Sequence, residues 1–129
     1  MRHATDAPAR PGVYVLLIGL ATPTDVALPR QPPVTLPSGQ YLYCGSAHGP
    51  GGLRARLSRH MRRGKTLRWH VDRLTEGGGE VLGAWWFLGG TECALVAALG
   101  SLPAPVPGFG SSDCAICRSH LLRWPAACG

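Results

Sequence analysis

Apolar and polar positions alternate between two periods along this chain, and the changes of period mark its elements. Residues 12–20, Gly-Val-Tyr-Val-Leu-Leu-Ile-Gly-Leu, form a short apolar run behind Pro11 that predicts a buried strand. A proline-rich stretch fills 21–37, Ser38-Gly39 is a turn signal, and 40–45 reads as a second strand. The two strands should pair as a wide hairpin, with 34–36 as a short third piece. Gly49-Pro50-Gly51-Gly52 breaks the pattern. Helical spacing then begins: Leu53, Leu57 and Met61 form the apolar stripe of a helix over 53–63, with Arg56, His60 and Arg63 on the neighbouring face. Thr66 reads as the N-cap of a second helix lined by Leu67, Val71 and Leu74 and stopped by Gly77-Gly78-Gly79. Residues 80–88 predict another strand. Thr91 caps a helix whose Glu92, Leu95, Val96 and Leu99 keep the i, i+3, i+4, i+7 spacing up to Gly100. The tail from about 102 reads as loop, ending in a short helix near 119–124.

The order strand, strand, helix, helix, strand, helix predicts an α/β (α+β) domain over 1–129. A small, mostly antiparallel central sheet should be flanked by helices. A chain of 129 residues fits one domain and can bury a core without a metal or disulfides. No apolar run is long enough for a membrane helix, and the first residues lack a signal-peptide core, so a cytoplasmic location is expected. In that compartment the five cysteines do not suggest a disulfide framework, and Cys44 and Cys93 read as buried small hydrophobes.

Charge narrows the partner. The formal net charge is +6. Arg54, Arg56, Arg59, Arg62, Arg63, Lys65, Arg68 and Arg73 crowd one segment in which Asp72 is the sole acid. Arginine forks fit phosphate oxygens, so this is the footprint of a polyanion, DNA above all. The plainer reading, a solvated helix face, would supply acids at helical spacing, and they are missing.

Three groups of residues suggest chemistry. Glu92 falls in the first turn of its helix yet on the apolar stripe. It reads either as a glutamate that helps start the helix or as a carboxylate ligand for a hard divalent ion. Arg56 and His60, one turn apart at the edge of their stripe, could clamp a phosphate and assist it. In the tail, Cys114, Cys117 and His120 are candidate zinc ligands. A structural site needs a fourth, for which Cys128 or His70 would have to serve, so zinc is the less favoured reading.

Gly12-Val13-Tyr14 and Tyr43-Cys44-Gly45 resemble the two motifs that name the GIY-YIG nucleases. Arg56 with His60 resembles the arginine and histidine of that superfamily's helix, and Glu92 its metal-binding glutamate. More closely, the chain resembles a compact bacterial and archaeal subgroup catalogued as domain of unknown function 123. The shared stretches are 43–60, Trp69-His70-Val71-Asp72, Glu92-Cys93 and 107–121. In some relatives the domain is joined to a DNA glycosylase, which hints at repair and a repair-protein partner. The connection between Tyr14 and Tyr43 is longer than the superfamily's usual hairpin, and Ser46 stands where a lysine is often found.

The resemblance implies a divalent-metal-dependent endonuclease hydrolysing DNA phosphodiester bonds. Glu92 would hold one Mg²⁺ or Mn²⁺, Tyr14 or Tyr43 would activate water, Arg56 would neutralise phosphoryl charge and His60 would assist. A tyrosine near its ordinary pKa is a poor base, so cations should lie close to it. Arg54, Arg59, Arg62, Arg63, Lys65 and Arg68 would bind the DNA backbone. Tyr14, Tyr43, Arg56, His60 and Glu92 should border one cleft. A structure with Glu92 on the opposite face of the sheet from both tyrosines would sink the nuclease reading. The rival readings are a non-catalytic module for branched or damaged DNA and a zinc-stabilised interaction protein.

Overall fold

The computed structural model describes residues 7–26, 32–61, 79–99, 102 and 119–124. They form strands β1 (Gly12–Leu20), β2 (Thr24–Val26), β3 (Val34–Leu36) and β4 (Gly39–Ala47), then helix α1 (Gly52–Met61). Strand β5 (Gly79–Leu88), helix α2 (Glu92–Ala98) and strand β6 (Leu121–Trp124) follow. The architecture is mixed α+β. A four-stranded sheet in the order β5-β1-β4-β6 is antiparallel at every pairing.

The central strands are apolar on both sides because each side of the sheet is covered. One face of β1 and β4 carries Tyr14, Leu16, Ile18, Tyr41 and Tyr43, which pack with Leu53 and Leu57 of α1. The other carries Val15, Leu42 and Cys44, which pack with Leu95, Val96 and Leu99 of α2. Alternate residues of one strand point to opposite faces, so a strand lined by a helix on each side loses its polar phase.

The expected β1–β4 hairpin forms, with Tyr14 opposite Gly45 and Leu16 opposite Tyr43. Residues 34–36 form β3, which pairs with β2 in a separate two-stranded sheet and does not join the main one. The predicted helix over 66–77 lies outside the described residues. At the start of α2, the Thr91 hydroxyl accepts from the Ala94 amide at 3.2 Å, as a cap should.

Three expectations are corrected. The end of the tail is the strand β6, not a short helix. An isolated helix of so few residues is unstable, whereas the edge of β4 offers a complete ladder, and Leu121 and Leu122 each find a buried face. On α1, Met61 is exposed and His60 takes the inward position, at 2% exposure, so the buried stripe is Leu53, Leu57 and His60. Cys44 is buried as expected, but Cys93 is only half-buried. No described helix is long and apolar enough to cross a membrane.

Candidate active site

Register and a glycine build the centre of the site. Tyr14 faces α1 from β1, and directly opposite it on β4 stands Gly45. A Cβ at Gly45 would overlap the Tyr14 ring, so the glycine is what lets that ring lie flat across the sheet. The Tyr14 hydroxyl thereby reaches Nε2 of His60, 2.8 Å away on the last turn of α1. Tyr43 is on the same face, two residues along β4 from Gly45. Its ring meets the same imidazole edge-on, with centroids 6.4 Å apart, against 5.4 Å for Tyr14. Gly12 serves the same packing, since a Cβ there would run into the Phe87 carbonyl and the Leu53 side chain. Both motif glycines are therefore explained by close approach.

The cluster is closed. Tyr14 is 1%, His60 2% and Tyr43 6% exposed. The expectation that His60 stands at the edge of its apolar stripe is thus corrected. Its place at i+7 from Leu53 turns it inward with the leucines.

Arg56 flanks the cluster. It is half-buried, one turn before His60, and its Nη1 donates to the backbone carbonyl of Ser46 at 2.7 Å. Ser46 is paired with Val13, whose side chain packs beside Gly90 in the turn leading to α2. Glu92 is the first residue of that helix; its side chain lies outside what is described.

The structure therefore brings Tyr14, Tyr43, His60 and Arg56 together, but α2 lies over the opposite face of the sheet. Helix α2, which Glu92 opens, thus does not share the tyrosine face. The reason is parity: Leu95, Val96 and Leu99 seek the face of Val15 and Leu42, which is the one the tyrosines do not use. Among the described residues, no three His, Cys, Asp or Glu side chains gather as ligands for an ion. The described acids Asp25 and Glu80 are on β2 and at the far end of β5. Among the described residues the tyrosine face thus carries no carboxylate, and of the five positions Glu92 is the one with a carboxylate to offer an ion.

Of the residues expected to bind nucleic acid, α1 carries Arg54 and Arg59. Arg54 is exposed, and its Nε donates to the Ala7 carbonyl at 2.9 Å. Arg62, Arg63, Lys65 and Arg68 lie outside the described residues, as do Cys114, Cys117, Cys128 and His70. His120, the remaining zinc candidate, is buried where β6 begins, and its carbonyl accepts from the Cys44 amide at 2.9 Å.

Sequence reasoning passed over Tyr41. It shares the face of Tyr14 and Tyr43, is fully buried, and donates its hydroxyl to the Pro37 carbonyl at 2.6 Å. Burial raises its pKa above the ordinary 10.0, with Arg123 opposing the shift. The signal was available: Tyr41 and Tyr43 are two apart in one strand and so must share a face.

A family model described as domain of unknown function DUF123 matches residues 13–128. No curated protein and no solved structure matches the chain.

Proposed function

The chain belongs to the family described as domain of unknown function DUF123, and from that premise we propose that it is a cytoplasmic endonuclease. It would hydrolyse DNA phosphodiester bonds with one divalent ion, Mg²⁺ or Mn²⁺, in DNA repair or processing. The observation that carries the proposal is the hydrogen bond between Tyr14 and His60, with Tyr43 against the same ring and Arg56 one turn away. A phenol needs a partner to act as a base near neutral pH, and an imidazole with Nε2 unprotonated is one. The Tyr14 proton passes to Nε2, and the phenolate oxygen then takes a proton from the attacking water. Arg56 meets the charge that builds on the phosphoryl oxygens. Glu92 is the candidate ligand for the ion, whose chemistry would be to neutralise the leaving oxygen.

Helix α2 covers the face opposite the tyrosines, but Glu92 is its first residue, so the reading turns on where that first turn sits. Both helices start from the same end of the sheet, beyond Gly12, Ala47 and Leu88. The contacts from Arg56 through Ser46 and Val13 to Gly90 run along that end, two residues short of Glu92. A site at this rim, rather than in a cleft on one face, is what the proposal requires.

The position of α2 also favours a second reading, a non-catalytic DNA-binding module that keeps the basic helix and uses Tyr14 and His60 as core. A nicking assay over single-stranded, duplex, damaged and branched DNA, with Mg²⁺, Mn²⁺ or chelator, separates the two. The nuclease cuts at least one of these substrates, only with an ion. Tyr14→Phe, which keeps the ring and loses the hydroxyl, lowers cutting by about a hundredfold or more. Binding without cutting under every condition favours the second reading.

A further inference from the structure

On the face of the sheet away from the tyrosines, three aromatic rings stand half out of the core. Trp85 pairs with Val15 and Phe87 with Val13, so both point to the α2 side, whereas Trp86 between them packs with the tyrosine cluster. Trp124 is on β6, at the other edge of the sheet. Trp85 is 40%, Phe87 51% and Trp124 42% exposed. The three border a pocket of about 420 Å³, to which β1 and β4 contribute Val15 and Leu42 and α2 contributes Leu99. Every residue that lines it is among those described, and none is charged. Helix α2 has seven residues. That is about 10 Å of helix over strands about 30 Å long, which leaves room beside it.

Area, spacing and charge choose the occupant. The exposed parts of the three rings amount to roughly 300 Å², against about 800 Å² per partner in a stable complex of two proteins, so the patch does not sustain a second copy. Trp85 and Phe87 are two residues apart on one strand. Their Cβ atoms therefore stand about 6.8 Å apart, twice the ~3.4 Å spacing of stacked bases, a gap that admits one flat ring. The formal charge of +6 draws a polyanion, and a nucleobase is the flat, uncharged part of one. Phe87 is also one residue from Leu88, which closes the sheet opposite Gly12. The gap thus lies next to the rim on which the proposed cut depends.

We propose that this pocket holds one nucleobase swung out of a DNA stack, gripped between Trp85 and Phe87 with Trp124 across from them. The substrate class is then DNA with an unpaired base. The inference rests on the nuclease reading for its ligand, DNA, but not on any cut. With no charged group in the lining, the pocket takes any of the four bases, since every base has a π-face to stack.

The test is equilibrium binding of the full chain in chelator to three duplexes of equal length: one fully paired, one with a single bulged adenine, and one with a bulged abasic residue at the same place. The bulged adenine should bind about tenfold more tightly than either of the others, the scale for stacking one base. Trp85→Ala and Phe87→Ala should each erase that preference without changing affinity for the paired duplex, and Phe87→Tyr, which keeps a ring, should retain it. Arg59→Ala should weaken all three duplexes alike. Equal affinity for the adenine and abasic bulges means that the chain reads a bend and not a base, and overturns the pocket. So does a preference that survives Trp85→Ala and Phe87→Ala, or a shift of the DNA-free chain from dimer to monomer on Trp85→Ala. Cleavage does not enter the measurement. A chain that prefers the bulged adenine but cuts no DNA with any ion refutes the nuclease reading and leaves the pocket standing. One that cuts paired DNA but shows no preference does the reverse.

Discussion

At the scale of single residues, three tyrosines on one face have different work. Tyr14 is joined to a histidine, Tyr43 packs against the same histidine, and Tyr41 is tied to the Pro37 carbonyl. Removing the Tyr14 hydroxyl leaves a buried imidazole nitrogen short of a partner, so Tyr14→Phe should also lower stability, by about 1–3 kcal/mol in urea denaturation. Tyr41 makes a prediction about pH. Its folded pKa is raised by burial, with Arg123 partly opposing, so the folded state keeps the phenolic proton when the unfolded chain has lost it. The stability it contributes is present below the ordinary value of 10.0 and falls as pH climbs above it. The wild type should therefore lose more stability between neutral pH and about pH 11 than Tyr41→Phe does. Equal losses in the two chains would mean that burial does not perturb Tyr41. Tyr14 and Tyr43 were legible as motif residues. Their burial was not, because it depends on which side chains α1 turns inward.

At the scale of elements, α1 combines two faces with separate tasks. Leu53, Leu57 and His60 are inside, while Arg54 and Arg59 lie on the flanks. Arg59 should bind phosphate away from the cut. Arg59→Ala should then flatten the dependence of log affinity on log salt by about 0.9 for duplex DNA. Turnover of bound DNA should change little, since a contact made equally in ground and transition states does not speed the chemical step. Salt titrations of binding beside single-turnover cleavage measure both. An unchanged slope would remove Arg59 from the interface. The sequence made α1 visible through the spacing of its leucines and α2 through its threonine cap. It misread β6, because Leu121-Leu122-Arg123-Trp124 has no period long enough to declare itself. The free edge of β4, which decides its conformation, is about eighty residues away in sequence.

At the scale of the whole molecule, the sheet separates the tyrosine–histidine cluster from the helix that carries the candidate metal ligand. If the two meet at the sheet's end, Glu92→Ala should abolish Mg²⁺-dependent nicking and leave the fold intact, because the helix is held to the sheet by Leu95, Val96 and Leu99 and capped by Thr91. Circular dichroism and thermal melting check the fold, and the nicking assay checks the loss. Nicking that survives both Glu92→Ala and chelator would remove the ion from the mechanism and leave Tyr14, His60 and Arg56 to account for the chemistry.

The sequence by itself determined the α+β class, the antiparallel pairing of β1 with β4, the cap of α2 and the motif positions. The elements themselves are fixed by neighbours within a few residues, through a period of two or of helical length, a turn glycine or a hydroxyl before a helix, and the β1–β4 pairing follows from two long apolar strands joined by a turn-rich connection. Only the tertiary structure decided that His60 is a core residue, that the tail adds a strand, and that Glu92's helix takes the face opposite the tyrosines. Those outcomes depend on which apolar surface each helix covers, and several faces of similar apolar character compete for it. Local periodicity says that a stripe will be buried, but the partner is chosen by packing across the whole sheet.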